Sequence, residues 1–170
     1  HGSITKAPVA TGADLVAYSG FSSSNYLEQP YNPDLDFGTG DFCVMGWVKA
    51  SSSGTILDAR GSDRIEGFVV YTTSNQLTLQ TKASSISSTT GSNGNPLTNS
   101  WRFFCCVRES SGTSQKIYLD GELDITDSVT ARSITGTDEP MRIGLNSGGE
   151  NAWSGSLALL RISGTAPTAD

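Results

Sequence analysis

The sequence predicts an all-β protein, a sandwich of short strands. Helical periodicity is almost absent. Alternating patterns and short β-branched or aromatic runs recur along the chain instead. Turn signals separate these runs at short spacing, as in sandwiches and barrels. The composition agrees: Ser plus Thr make up about a quarter of the 170 residues, Gly numbers 19, and charged residues are only 16%.

The elements follow in order. Strands are expected over residues 13–18, 25–29, 41–50 and 54–59, where Val, Leu, Tyr, Phe and Trp alternate with smaller or polar residues. Further strands are expected over 66–73 and 76–82, joined by a turn at Ser74-Asn75. The next pair, 101–109 and 115–119, is joined through Ser110-Ser111-Gly112-Thr113. Asp120-Gly121 then leads into 122–126; this dipeptide is a two-residue hairpin signal, because a type I′ turn needs positive φ at both positions. Strands over 139–145 and 154–163 complete the set. The Ser/Thr/Gly/Asn stretch from Ser84 to Ser100 reads as a long surface loop. No linker or second composition regime appears, so residues 1–170 are expected to form one domain.

Two strands are apolar on both faces. Over 41–50, Phe42, Val44, Gly46 and Val48 share one side, and Cys43, Met45 and Trp47 the other. Over 101–109, Phe103, Cys105 and Val107 share one side; Phe104 and Cys106 share the other with Arg102 and Arg108. Such strands belong in the middle of a sheet, covered on the outside by loops or by a neighbouring subunit, so a homo-oligomer contact is one expectation.

The charge balance excludes several classes. With 17 acidic and 11 basic residues the net charge is −6, which argues against a nucleic-acid partner. No run approaches the 18 apolar residues of a membrane span, so no membrane insertion is expected. His1 to Lys6 carries neither an initiator Met nor the apolar core of a signal peptide, so a start inside a larger protein is expected. Cys43, Cys105 and Cys106 are an odd count, and the adjacent pair points to opposite faces, so at most one could reach Cys43. All three are expected as free thiols, which fits folding in a reducing cytosol. With no C-x-x-C pair and His1 as the lone histidine, no zinc site or cofactor is expected.

In this setting a series of segments resembles the laminin-G-like branch of the concanavalin A-like lectin/glucanase superfamily. They run in the family's order: His1 to Thr5, Asn25 to Glu28 with Pro33 to Phe42, Val44 to Lys49, Ser100 to Phe104, Ile117 to Leu123, Arg142 to Gly144, and Trp153 to Ile162. The resemblance covers nearly the full chain and implies a jelly-roll sandwich of two antiparallel sheets. It implies no single function, because members bind glycans, bind proteins, hydrolyse glucans or act as spacers.

Glu122-Leu123-Asp124-Ile125-Thr126-Asp127 resembles the E-x-D-x-x-E signature of the superfamily's retaining glucanases, with Glu122 and Asp127 as the carboxylate pair. Asp127 is one methylene short, and Asp120-Gly121 makes the string the outgoing arm of a hairpin, so no catalytic residue is expected. The family's calcium-ligating Asp corresponds to Ala158, which offers no oxygen side chain, so the family's metal site is expected to be lost. Asp58, Asp63 and Asp138 are the loop acids that could build another. For glycan binding, Trp47, Trp101 and Trp153 fall on family positions that usually pack structurally. The expected rim is therefore polar and loop-borne: Asp63, Arg64, Asn93, Asn95, Asn146, Glu150 and Asn151.

The reading is a non-catalytic binding or adhesion module from a larger surface assembly. Its low charge, Ser/Thr richness and free cysteines resemble modules of bacteriophage tail fibres, head fibres and decoration proteins. The expected partner is a host-surface glycan or a neighbouring virion or surface protein. A small glycoside hydrolase using Glu122 and Asp127, and a purely structural oligomerisation domain, are the alternatives.

Overall fold

A computed structural model describes residues 1–61, 64, 66–135 and 138–167. Among these residues the strands form two antiparallel sheets. The seven-stranded sheet has the order β1-β2-β13-β4-β9-β10-β11. These strands are β1 Thr5–Pro8, β2 Val16–Ser19, β13 Ser156–Ser163, β4 Phe42–Lys49, β9 Arg102–Glu109, β10 Ser114–Leu119 and β11 Glu122–Ser128. The six-stranded sheet has the order β3-β12-β5-β6-β7-β8. Its strands are β3 Leu27–Gln29, β12 Met141–Ile143, β5 Thr55–Asp58, β6 Gly67–Thr73, β7 Gln76–Lys82 and β8 Ile86–Thr90. The fold is the concanavalin A-like, laminin-G-type sandwich that the resemblance implied. No helix among the described residues is long and apolar enough to cross a membrane.

The core lies between the sheets. Phe42, Val44 and Val48 of β4, Phe104 and Cys106 of β9, and Ile117 and Leu119 of β10 pack against Ile56, Phe68, Val70, Leu77 and Leu79 of the other sheet. Arg108 is buried in the same layer. Its Nε donates to Gly40 O at 2.9 Å, its Nη2 to Gly38 O at 2.7 Å, and its guanidinium lies 5.0 Å from the Phe42 ring centre. Burial draws its pKa down to about 10, so it stays protonated at neutral pH. The arginine thereby ties the loop before β4 to the core.

The central placement expected for the doubly apolar strands is observed, since β4 and β9 are adjacent in the middle of their sheet. Asp120 and Gly121 take φ of 53° and 86°, and Ser74 and Asn75 take 49° and 64°, as tight hairpins between right-twisted strands require. Two edge strands differ from expectation. Residues 86–90, read as part of a long loop, form β8 and pair with β7 from Thr78↔Thr90 to Lys82↔Ile86. The strand carries one apolar residue, so no hydrophobic alternation marks it; β-branched Thr and the backbone ladder hold it. Strand β1 is exposed at all four residues and was likewise silent in the pattern.

Candidate functional site

Two surfaces gather chemistry. The first is the loop rim named from the sequence. Asn146, buried, closes the tight loop 146–150: its Oδ1 accepts the Glu150 N–H at 2.8 Å, and its backbone O accepts the Gly149 N–H at 3.0 Å. Arg64 reaches this loop, with Nη2 donating to Asn146 Oδ1 at 3.3 Å and pairing with Glu150 Oε2 at 3.1 Å. The guanidinium lies where a side chain on Gly148 would stand, so the glycine makes the approach possible. The rim groups therefore spend their hydrogen bonds on one another.

Below this rim Asp58 is fully buried on β5, which corrects its reading as a loop acid. Arg60 forks onto it, with Nε to Oδ1 at 2.9 Å and Nη2 to Oδ2 at 2.8 Å. Oδ2 also accepts the Ser147 backbone N–H at 3.0 Å. Arg60 Nη1 continues to Gln80 Oε1 at 2.8 Å, so the network runs across the outer face of the six-stranded sheet.

The other rim residues lie elsewhere. Asn151, with φ of 53°, lines a separate hollow with Ser53, Thr55 and Tyr71. Asn95 is absorbed by its own turn, its Oδ1 accepting the Leu97 N–H at 2.8 Å. Asn93 sits on the flank where β8 nears β11, and its N–H is held by Asp124 Oδ1 at 2.8 Å. Asp63 falls outside the described residues. The seven candidates thus do not form one site: Arg64, Asn146 and Glu150 come together, and the rest that are described do not.

Asp124 is the middle acid of the glucanase-like string. Its carboxylate accepts three consecutive backbone N–H groups, from Ser92 at 3.1 Å, Asn93 at 2.8 Å and Gly94 at 3.0 Å. It clamps the loop after β8. Glu122 is exposed at the hairpin start, and β11 is the terminal strand of its sheet. The string works as a hairpin arm with a loop anchor.

The second surface is the outer face of the seven-stranded sheet, and here the tryptophan expectation needs correction. Trp153 is fully buried in the core, but Trp47 is 38% exposed and Trp101 half-buried. The cause is strand parity. Trp47 shares its side of β4 with Cys43 and Met45, opposite the core residues Val44 and Val48. It stands beside Ala158 of β13 and Phe103 of β9 in the ladders, and its ring lies 5.6 Å from that of Phe103. Because Ala158 is small, a groove of about 240 Å³ opens between Trp47, Trp101, Ala158, Val9 and Leu15. Val9 and Leu15 come from the β1–β2 hairpin, closed by Val9 N–H to Leu15 O at 3.0 Å. The alternation in residues 43–47 was the signal that Trp47 faces outward; what the sequence could not give was how little covers it.

Farther along this face Cys43, Cys105 and Val107 form a second apolar cluster with Met45, Phe103, Tyr118 and Ala166. Cys43, Cys105 and Cys106 are all free and buried. The hydrogen bond from Cys105 draws Cys43 down to about 7, with Arg161 adding to the effect, while the same bond pushes Cys105 up and burial pushes Cys106 up.

The family model of the concanavalin A-like lectin/glucanases superfamily matches residues 21–170. No curated protein matches the sequence. Among solved structures, the binding domain of Paraclostridial Mosquitocidal Protein 1 is similar with a TM-score of 0.76 and 13% identity, over 99% of this chain and 44% of that one. Domains LG4-5 of the mouse laminin alpha1 chain give 0.70 and 12%, over 95% and 46%. Domain 4 of AbnA, a GH43 extracellular arabinanase from Geobacillus stearothermophilus solved in complex with arabinotriose, gives 0.73 and 16%, over 99% and 79%. The chain therefore spans less than half of the first two structures, and identities this low speak for the fold alone. With the family model covering all but the first 20 residues, the chain belongs to the concanavalin A-like lectin/glucanase superfamily.

Proposed function

We propose that this chain is a non-catalytic carbohydrate-binding module, and that its sugar site is the groove of Trp47 and Trp101 rather than the loop rim. The observation that carries the reading is the pair of tryptophans in an open groove on the sheet face. An aromatic plane beside a shallow apolar wall suits the flat C–H face of a pyranose or furanose ring. The fold shared with the binding domain of Paraclostridial Mosquitocidal Protein 1 and with a domain solved in complex with arabinotriose is in keeping with a binding role. The rim of Arg64, Asn146 and Glu150 is internally satisfied and shapes the sandwich end.

The finer reading places the module as one domain of a larger assembly on a virion or cell surface, folded in a reducing cytosol. The low charge, the Ser/Thr content and the three unpaired thiols support it. A neighbouring structural protein, or a second copy of this chain, is the competing partner, favoured by the apolar outer cluster around Met45, Phe103 and Tyr118.

The test is a glycan array followed by calorimetry on the best ligand. Trp47→Ala and Trp101→Ala should each weaken binding by about tenfold, equivalent to about 1.4 kcal/mol, with an unchanged fold. Undiminished binding in both variants would move the site elsewhere, and an array without any ligand would leave the protein-partner reading in its place.

A further inference from the structure

The cations on the sheet face extend the glycan reading. The strand registers set the outward residues in rows about 7 Å apart. Lys49 faces Ser156, Trp47 faces Ala158, and Met45 faces Arg161. On the other side of β4, Trp47 faces Phe103, and Val48 faces Arg102, which brings Lys49 beside Trp101 at the strand's end. One cation thus lies one row to either side of Trp47.

Among the described residues neither cation has a carboxylate partner. Among the described residues Arg60, Arg64, Arg102, Lys116 and Arg142 each pair with a carboxylate. The side chains of Lys49 and Arg161 make no hydrogen bond or ion pair among the described residues, and Arg161 acts electrostatically on the Cys43 thiol. Glu109, on the same face, is taken by Lys116 at 2.6 Å. Among the described acids outside the ion pairs, Asp14 precedes Leu15 of the groove wall, and Asp41, which accepts the Ser111 N–H, lies beyond Cys43 at the far end of β4. In a chain of net charge −6, this face carries a local positive excess around its exposed aromatic groove.

We infer that the sugar bound at Trp47 and Trp101 is anionic, with Lys49 and Arg161 reading its carboxylate or sulfate groups. This rests on the glycan-binding reading and adds the ligand class. Stacking holds the ring, and the cations, spaced about two rows apart, take substituents projecting from either end of a short oligosaccharide.

The experiment compares uronic, sialylated and sulfated oligosaccharides, each beside its uncharged parent, on the full chain by calorimetry at about 50 mM and 500 mM salt. Hexaglutamate is a third arm. At least one acidic sugar should bind about tenfold tighter than its parent at low salt. The gap should close at high salt and in the Lys49→Gln/Arg161→Gln variant, whose half-buried Lys49 and exposed Arg161 lie outside the core, so that its melting temperature stays near the parent's. Equal binding of acidic and neutral sugars overturns the anionic assignment and leaves the glycan reading standing. Hexaglutamate bound as tightly as the best acidic sugar overturns it too, because the charge would then be read without a ring. Binding of neither sugar class overturns both readings.

Discussion

Arg60 forks onto Asp58 across the outer face of the six-stranded sheet, through two hydrogen bonds of 2.9 and 2.8 Å. Asp58 is wholly buried and the Arg60 side chain is 13% exposed, so the pair is shielded from solvent. Removing one partner strands a charge; removing both need not.

That asymmetry gives the first prediction. Arg60→Met should cost about 3 kcal/mol, because Asp58 keeps only its Ser147 and backbone donors. The melting temperature should fall by about 6–12 °C. Adding Asp58→Asn to Arg60→Met should recover part of the loss in a thermal melt. A single variant that melts like the parent would show that the fork contributes nothing.

Asp124 provides the second. Asp124→Ala leaves the N–H groups of Ser92, Asn93 and Gly94 without their acceptor. The residue is partly exposed, so water replaces some of the loss, and about 1–2 kcal/mol is expected. Hydrogen exchange should quicken at those three amides and stay unchanged in β9. The protein should release no reducing ends from glucans or galactans, and hydrolysis that vanishes in Glu122→Gln would overturn the loop-anchor account of this string.

These residues also mark what the sequence disclosed. Strands β4 and β9 were legible because both of their faces are apolar, a pattern that only a covered central strand carries. The Asp120-Gly121 and Ser74-Asn75 hairpins were legible because few dipeptides accept positive φ twice. Strand β8 was hidden because Ser and Thr serve loops and polar edge strands alike. Asp124 was hidden because its partners are backbone groups 30 to 32 residues earlier, contacts that no local spacing encodes. Arg64, Asn146 and Glu150 were read from the sequence as rim groups, and their mutual hydrogen bonding is a product of tertiary geometry that no local spacing encodes. The groove needed both the parity of Trp47, which was legible, and the small Ala158 beside it, whose effect appears only across the β4–β13 ladder.

The thiols give a pH-dependent prediction. Cys43 is held near 7 by the Cys105 hydrogen bond and by Arg161, so its thiolate fraction rises through neutral pH. Alkylation of the native protein will be slow, because Cys43 is 1% exposed. Its rate should nevertheless climb between about pH 6 and 8, and peptide mapping should find Cys43 modified before Cys105 and Cys106. Arg161→Gln should move that climb to higher pH. Unfolded protein should titrate three thiols, and a Cys43–Cys105 disulfide would show an oxidising history instead.

Calcium should not affect stability. A ligand a hundredfold above its Kd adds about 2.7 kcal/mol, enough to move the melting temperature by about 5 °C. Ala158, at the position where the sequence resemblance implies the family's calcium ligand, offers no oxygen side chain, and both Asp58 oxygens are engaged by Arg60 and Ser147. Melts in excess EDTA and in millimolar calcium should overlay within about a degree. A calcium-dependent shift would point to acids of the loops, Asp138 among them.

The last prediction separates the tryptophans by what each does. Trp153 is fully buried in the inter-sheet core, so Trp153→Ala should cost about 3–5 kcal/mol through lost burial and the cavity left behind. Trp47 is 38% exposed and its ring lies tilted by 56° to that of Phe103, with centroids 5.6 Å apart, so Trp47→Ala should cost about 1 kcal/mol. Binding should show the reverse order, with Trp47→Ala losing the glycan while the fold survives. Ala158→Leu is the converse variant. It adds bulk where the groove is open, beside Trp47, so it should leave the melting temperature within a few degrees and still block the ligand. Thermal melts and calorimetry on the three variants check both orders at once. If Ala158→Leu bound the sugar as the parent does, the ring would not be resting on Trp47, and the groove would be a packing feature of the β13–β4 ladder with no ligand of its own.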